Sequence, residues 1–147
     1  MAPDTTVPLR LRARDADDLA ILSAALQDAI VPVHDITFLR PERSFVMALN
    51  RFCWEQPAQL VDGQEFWQRT LCGVRFQGID AVQSRKLDLG DRARMLDLLA
   101  VTAEEGGILL TFADDVTLRL AGTGIDVLLE DRGEPWPTPQ KPQHPEV

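Results

Sequence analysis

Asn50, Arg51, Trp54 and Glu55 close a long apolar run that begins at Ser44, and they are the residues of this chain whose types and spacing could do chemistry. An arginine can grip an anion through its planar fork, a tryptophan can supply a flat wall, and an amide with a carboxylate can fix a ligand's orientation. Arg75 joins the set if its strand neighbours theirs. The competing reading has Arg51 and Glu55 paired with each other while Trp54 packs on a helix, since ion pairs and packed tryptophans are common structural devices. The sequence leaves both readings open.

No other constellation approaches a reaction. A nucleophilic triad needs a serine or cysteine beside an imidazole that an acid orients, and neighbouring His34 and Asp35 would point to opposite faces of a strand. Gly106-Gly107 and the Gly122/Gly124 pair sit in turns between strands rather than ahead of a helix, so they cradle no phosphate, and no cofactor is expected. The acid pairs Asp17-Asp18, Glu104-Glu105, Asp114-Asp115 and Glu130-Asp131 match no metal-ligand spacing. Cys53 and Cys72 lie in apolar surroundings without the Cys-x-x-Cys spacing of a zinc site, and read as buried reduced thiols. The histidines, His34 and His144, supply too few further ligands, so no metal is expected.

The elements that must position these residues follow from hydrophobic periodicity. Leu19, Leu22, Leu26 and Ala29 recur at helical steps behind an Asp15 cap, which predicts a helix from about Asp15 to Ile30 that stops before Pro32. Val33–Leu39 and Ser44–Trp54 flank the turn residues Arg40 to Arg43 and read as an antiparallel hairpin. Residues 55–68 read as a polar connection with a helical turn near Gln64–Trp67. A second hairpin is expected between Thr70–Lys86 and Arg92–Ala103, with a bulge at Gly78 where the apolar phase slips; a helix from near Leu89 is the alternative. The alternating runs at 108–112, 116–120 and 125–129 predict a three-stranded meander. The fold class is α+β: an N-terminal helix on a mainly antiparallel meander, sandwich or partly open barrel of about seven strands. One globular domain is expected over residues 1–132, followed by a Pro-rich tail over 133–147 whose first half docks through Trp136.

Composition narrows the class of partner. The 147 residues carry a net charge of −8, distributed as −3 over residues 1–39, +2 over 40–94 and −7 over 95–147, so nucleic acid is an unfavoured partner. Neither a leader with an apolar core nor a membrane-length apolar run is present, which points to a cytoplasmic protein with no membrane association.

The segments Leu26 to Ile30, Phe38 to Glu55 and Leu129 to Trp136, with His144 to Glu146, resemble domain-of-unknown-function family 2948, an uncharacterised family of small alphaproteobacterial proteins. That resemblance spans nearly the whole chain and implies a bacterial, cytoplasmic, single-domain protein without assigned catalytic residues. Two functions from different classes remain. The first is a non-enzymatic binding or interaction module that docks a protein partner or a second copy through an exposed strand or the tail. The alternative is a small-molecule enzyme or ligand sensor for an anionic metabolite, using Asn50, Arg51, Trp54, Glu55 and Arg75.

Overall fold

The computed structural model describes residues 8–143; the last four residues of the Pro-rich tail, from His144, lie outside them. Its first strand, β1 (Arg10–Ala13), leads into the single α-helix of the described residues, α1 (Ala16–Leu26). Asp15 caps α1 by accepting the Asp18 backbone N–H at 2.8 Å, and Leu19, Leu22 and Leu26 form its buried stripe. The helix ends earlier than the expected Ile30. Asp28 turns left-handed, at φ 63°, and donates its N–H to the Leu98 carbonyl at 2.7 Å, which hands residues 29–32 to the sheet as β2 (Ala29–Pro32). The helix packs mainly on β8 (Met95–Glu104) and on β1, and Ser23 accepts the Val101 N–H at 2.8 Å to join helix to strand.

The first expected hairpin is present. β3 (Ile36–Leu39) pairs with β4 (Ser44–Phe52), with Phe38 opposite Phe45, while Val33–Asp35 form a short 3-10 turn instead of extending β3. Residues 55–68 hold no helical turn. β5 (Gln59–Val61) and the start of β6 (Gln64–Gln77) form a hairpin around Asp62 and Gly63, whose φ values of 52° and 80° are the left-handed pair that a two-residue turn requires.

Gly78, with φ 76°, then breaks the run where the apolar phase slips, and β7 (Ile79–Arg85) follows. The break redirects the pairing. The expected second hairpin is not formed, because β7 pairs with β10 (Thr117–Gly122) and β8 pairs with β2 and β9 (Gly107–Phe112). The alternative helix from Leu89 is absent too; β8 starts at Met95.

The expected three-stranded meander stops after two strands. β9 and β10 pair, but β11 (Val127–Thr138) lies between β1 and β6. Gly122 runs so close to Gly78 that a Cβ on it would stand 2.0 Å from the Gly78 carbonyl oxygen, and Gln77 N–H holds the Asp126 carbonyl at 2.9 Å. These contacts take the chain away from β10 and onto the far edge of β6.

Among the described residues the result is one α-helix on an antiparallel sheet of eleven strands, in the order β1-β11-β6-β4-β2-β8-β9-β10-β7, with β3 and β5 attached to β4 and β6. The α+β class and the antiparallel pairing are as expected; the count of about seven strands is corrected to eleven, and the sheet is open rather than closed into a barrel. The bend at Gly78 turns one long run into two strands, the short β1, β2 and β5 add more, and the path ends in β1 and β7 without closing. Helix and sheet enclose one hydrophobic core drawn from α1 and strands at both ends of the path, including Leu22, Phe45, Phe76, Leu98, Leu118 and Leu129. Among the described residues no helix is long and apolar enough to cross a membrane.

Candidate functional site

Alternation along β4 decides where the polar residues at its end go. Phe45, Met47, Leu49 and Arg51 share the core side, whereas Val46, Ala48 and Asn50 face the other way. Arg51 is therefore carried into the interior, with none of its surface exposed. Its Nε donates to Asp131 Oδ1 at 2.7 Å and its Nη2 to Asp131 Oδ2 at 2.8 Å. Nη1 and Nη2 reach Glu55 Oε1 and Oε2 at 2.9 and 2.7 Å, and Nη1 also lies 3.4 Å from the Phe52 carbonyl oxygen. All five N–H donors of the guanidinium thus meet acceptors.

The electrostatics follow from that enclosure. Burial disfavours the charged guanidinium, but hydrogen bonds and charge from Asp131 and Glu55 outweigh it and raise the Arg51 pKa. Burial acts to raise Glu55, yet the Arg51 hydrogen bond and charge prevail and hold it below its ordinary value. Asp131, on β11, also accepts the Leu9 N–H at 2.8 Å, so the network fastens β4, β11 and the residue ahead of β1 together. Cys72 lies opposite both Leu49 and Asp131; burial above all pushes its thiol up to about 12 and that of Cys53 to about 11. Both cysteines are buried and free, and neither thiol is poised as a nucleophile.

The other sequence candidates are dispersed. Trp54 donates its Nε1–H to the Gln27 carbonyl at 2.9 Å, at the C-terminal end of α1, and its ring lies 4.6 Å from that of Phe52. Arg75 stands on the outer face of β6, opposite Val46 and Leu128, and borders a shallow depression of about 210 Å³ with Glu130 and Arg132. Asn50 is on that same outer face but four strand positions away by register, beside Ile30 and Leu71. Arg51 and Glu55 are brought together; Asn50, Trp54 and Arg75 each stand elsewhere.

Asn50 does border a concavity that periodicity alone did not reveal. Register on the outer face aligns Asp97, Ile30 and Asn50 in one row, and Phe52, Arg69 and Trp136 in the next. The end of β11 overhangs these rows, because three residues, 133–135, stand opposite the single Thr70 and let Trp136 to Thr138 resume pairing with Arg69 to Trp67. The cleft so formed, of about 510 Å³, is lined by Asp28, Asn50, Arg69, Asp97, Trp136 and Lys141 among others. The signal that could have singled out Arg69 is its position among Phe66, Trp67 and Thr70, but it needs the β11 register to acquire neighbours.

A second groove, of about 360 Å³, lies where β3 and β7 approach. Phe38, Phe45, Val82 and Leu89 give it an apolar lining, and Arg40 and Arg92 stand at its rim. Among the described residues no group of three or more His, Cys, Asp or Glu side chains is arranged to hold a metal ion.

A family model described as a protein of unknown function, DUF2948, matches residues 9–144. The chain belongs to the DUF2948 family. Nothing matches among curated proteins or among solved structures. The match spans β1 to the end of β11, so the buried Arg51 network, the Arg69 cleft and the β3/β7 groove all lie within the family's extent, and the family has no known function.

Proposed function

We propose that this chain is a non-enzymatic interaction module of the bacterial cytoplasm that docks an extended segment of a protein partner in the β3/β7 groove. The observation that carries the reading is a pair of sheet edges left without a strand. Among the described residues β7 ends the strand path, β3 pairs with β4 alone, and residues of both strands line the same apolar groove. An unpaired edge offers backbone donors and acceptors to an added strand, and alternate pockets then read every second side chain. Arg40 and Arg92 have no carboxylate partner among the described residues; Arg40 lies 4.8 Å from the Phe38 ring centroid, and Arg92 Nη2 donates to the His34 carbonyl. The complementary segment therefore alternates aliphatic residues with acidic ones. Two buried, unpaired thiols suit a reducing compartment.

Selection from a displayed library of random peptides tests this reading. Recovered sequences should be acidic with aliphatic residues at alternate positions, and binding should protect β7 amides from hydrogen exchange. Val82→Arg should abolish binding, and Arg40→Glu with Arg92→Glu should turn the preference towards basic peptides. A library that yields no binder, or binders indifferent to both changes, overturns it.

A further inference from the structure

We infer that the cleft beneath the end of β11 is a binding site for a small amino-acid-like molecule, with Arg69 taking its carboxylate. The inference is independent of the β3/β7 groove and rests on a contrast between two arginines. Arg51 has an acceptor for every N–H. Arg69 uses only Nη1, which lies 3.4 Å from the Asp28 carbonyl and 3.5 and 3.3 Å from the Asn50 carbonyl and Oδ1, at the long end of hydrogen-bond distances. Nε and Nη2 meet no acceptor among the described residues. Those two groups form the side-on edge of the guanidinium, the edge that fits a carboxylate with two parallel N–H···O bonds.

Arg69 is held in place for that role. Its guanidinium carbon lies 5.6 Å from the Phe52 ring centroid, and Trp136 stands opposite Arg69 across the β6/β11 ladder with 39% of its surface exposed. Burial lowers the Arg69 pKa in spite of the opposing charges of Asp97 and Asp28, as expected of a cation withdrawn from water without a bidentate partner.

Charge in the cleft selects the ligand class. Arg69 and Lys141 face Asp28 and Asp97, so the lining is balanced, and the two carboxylates set a negative field that a phosphate dianion would meet. A molecule carrying one carboxylate and one ammonium group suits both signs. Trp136 offers an apolar face to its side chain, and a cleft of about 510 Å³ accommodates a molecule of that size.

Isothermal titration of the full chain with each standard L-amino acid, their N-acetylated forms and inorganic phosphate tests the inference. At least one free amino acid should bind with a stoichiometry of one and quench tryptophan fluorescence. Its N-acetylated form should bind more weakly, and phosphate more weakly still. Arg69→Gln should weaken binding by about tenfold or more, as should Arg69→Lys, which keeps the charge but loses the fork. Trp136→Phe should remove much of the quench while heat of binding persists. Because Arg69→Gln removes a half-buried charge, melting curves accompany it, and the lysine variant decides if the glutamine variant is unfolded. Val82→Arg should leave amino-acid binding unchanged, so failure of the groove and failure of the cleft are read separately. The inference is overturned if no amino acid binds, if Arg69→Lys binds as the parent does, or if phosphate binds more tightly than every amino acid.

Discussion

Replacing Asp131 by asparagine should cost far more stability than replacing Glu55 by glutamine, although both carboxylates bond the same guanidinium. Asp131 exposes 4% of its side chain and accepts three hydrogen bonds, two from Arg51 and one from the Leu9 N–H. Asparagine offers one acceptor oxygen. Placed where Oδ2 stands, it keeps the Leu9 and Nη2 bonds but turns its own N–H₂ towards Arg51 Nε, so one charge-assisted bond becomes a clash of donors. Losing one carboxylate from a fully buried arginine places the expected cost near that of breaking a buried pair, about 3–5 kcal/mol. For a chain of this size that corresponds to a fall of roughly 6–20 °C in Tm, at about 2–4 °C per kcal/mol. Glu55 exposes 36% of its side chain, so water screens its charge, and glutamine there should cost about 1 kcal/mol or less. The double variant should lose more than the sum of the two, because each carboxylate compensates for loss of the other. Urea unfolding followed by tryptophan fluorescence and circular dichroism, with slopes compared across the four proteins, measures all three quantities. Equal losses at the two positions, or a loss below about 1 kcal/mol for Asp131→Asn, would refute the picture of Arg51 as a buried charge held chiefly by Asp131.

The same network predicts a pH response. Glu55 is held below its ordinary value in the folded protein, so its contribution is complete above the unfolded carboxyl pKa of about 4.3 and is lost as pH falls through the lower folded value; Glu55→Gln should flatten the acid limb of the stability curve. Gly122→Ala should destabilise by about 2–4 kcal/mol or abolish folding, since its Cβ would stand 2.0 Å from a backbone oxygen that cannot swing aside, and a denaturant midpoint reads it. Asp15→Ala should cost about 1 kcal/mol through loss of the helix cap, visible in the same unfolding curves. Cys53 and Cys72, with thiols pushed up to about 11 and 12, should resist a thiol-disulfide reagent at pH 8 in the native protein and react promptly in guanidinium chloride.

Local signals were legible in the sequence and pairing partners were not. The Asp15 cap, the Leu19/Leu22/Leu26 stripe, the β3/β4 hairpin and the break at Gly78 each depend on residues close along the chain, and each is present. The helix end was misplaced because Asp28 turns left-handed to bond Leu98, seventy positions away. The hairpin turn at Asp62-Gly63 was missed, because the polar residues around it made 55–68 read as a connection and obscured the strands it joins. Neither the β7/β10 pairing nor the insertion of β11 between β1 and β6 follows from alternation, which fixes the face of a strand and says nothing of its neighbour. The site suffered the same limit. Arg51 and Glu55 are four residues apart and their pairing was one of two readable outcomes, whereas Asp131 lies eighty positions from Arg51 and Trp136 is likewise remote in sequence from Arg69.

The placement of β11 sets an order for assembly. β6 and β4 can pair as soon as residues 44–77 exist, yet the outer edge of β6 stays bare until residues 127–138 have been made. Only then can β1, made first of all the strands, find its place, through contacts such as Leu9 with Asp131 that span 122 positions. Contacts of that separation close large loops and make folding slow. A ribosome-bound chain stalled before residue 127 would therefore display an unpaired β1 and a bare outer edge of β6, and is the species most exposed to edge-to-edge aggregation.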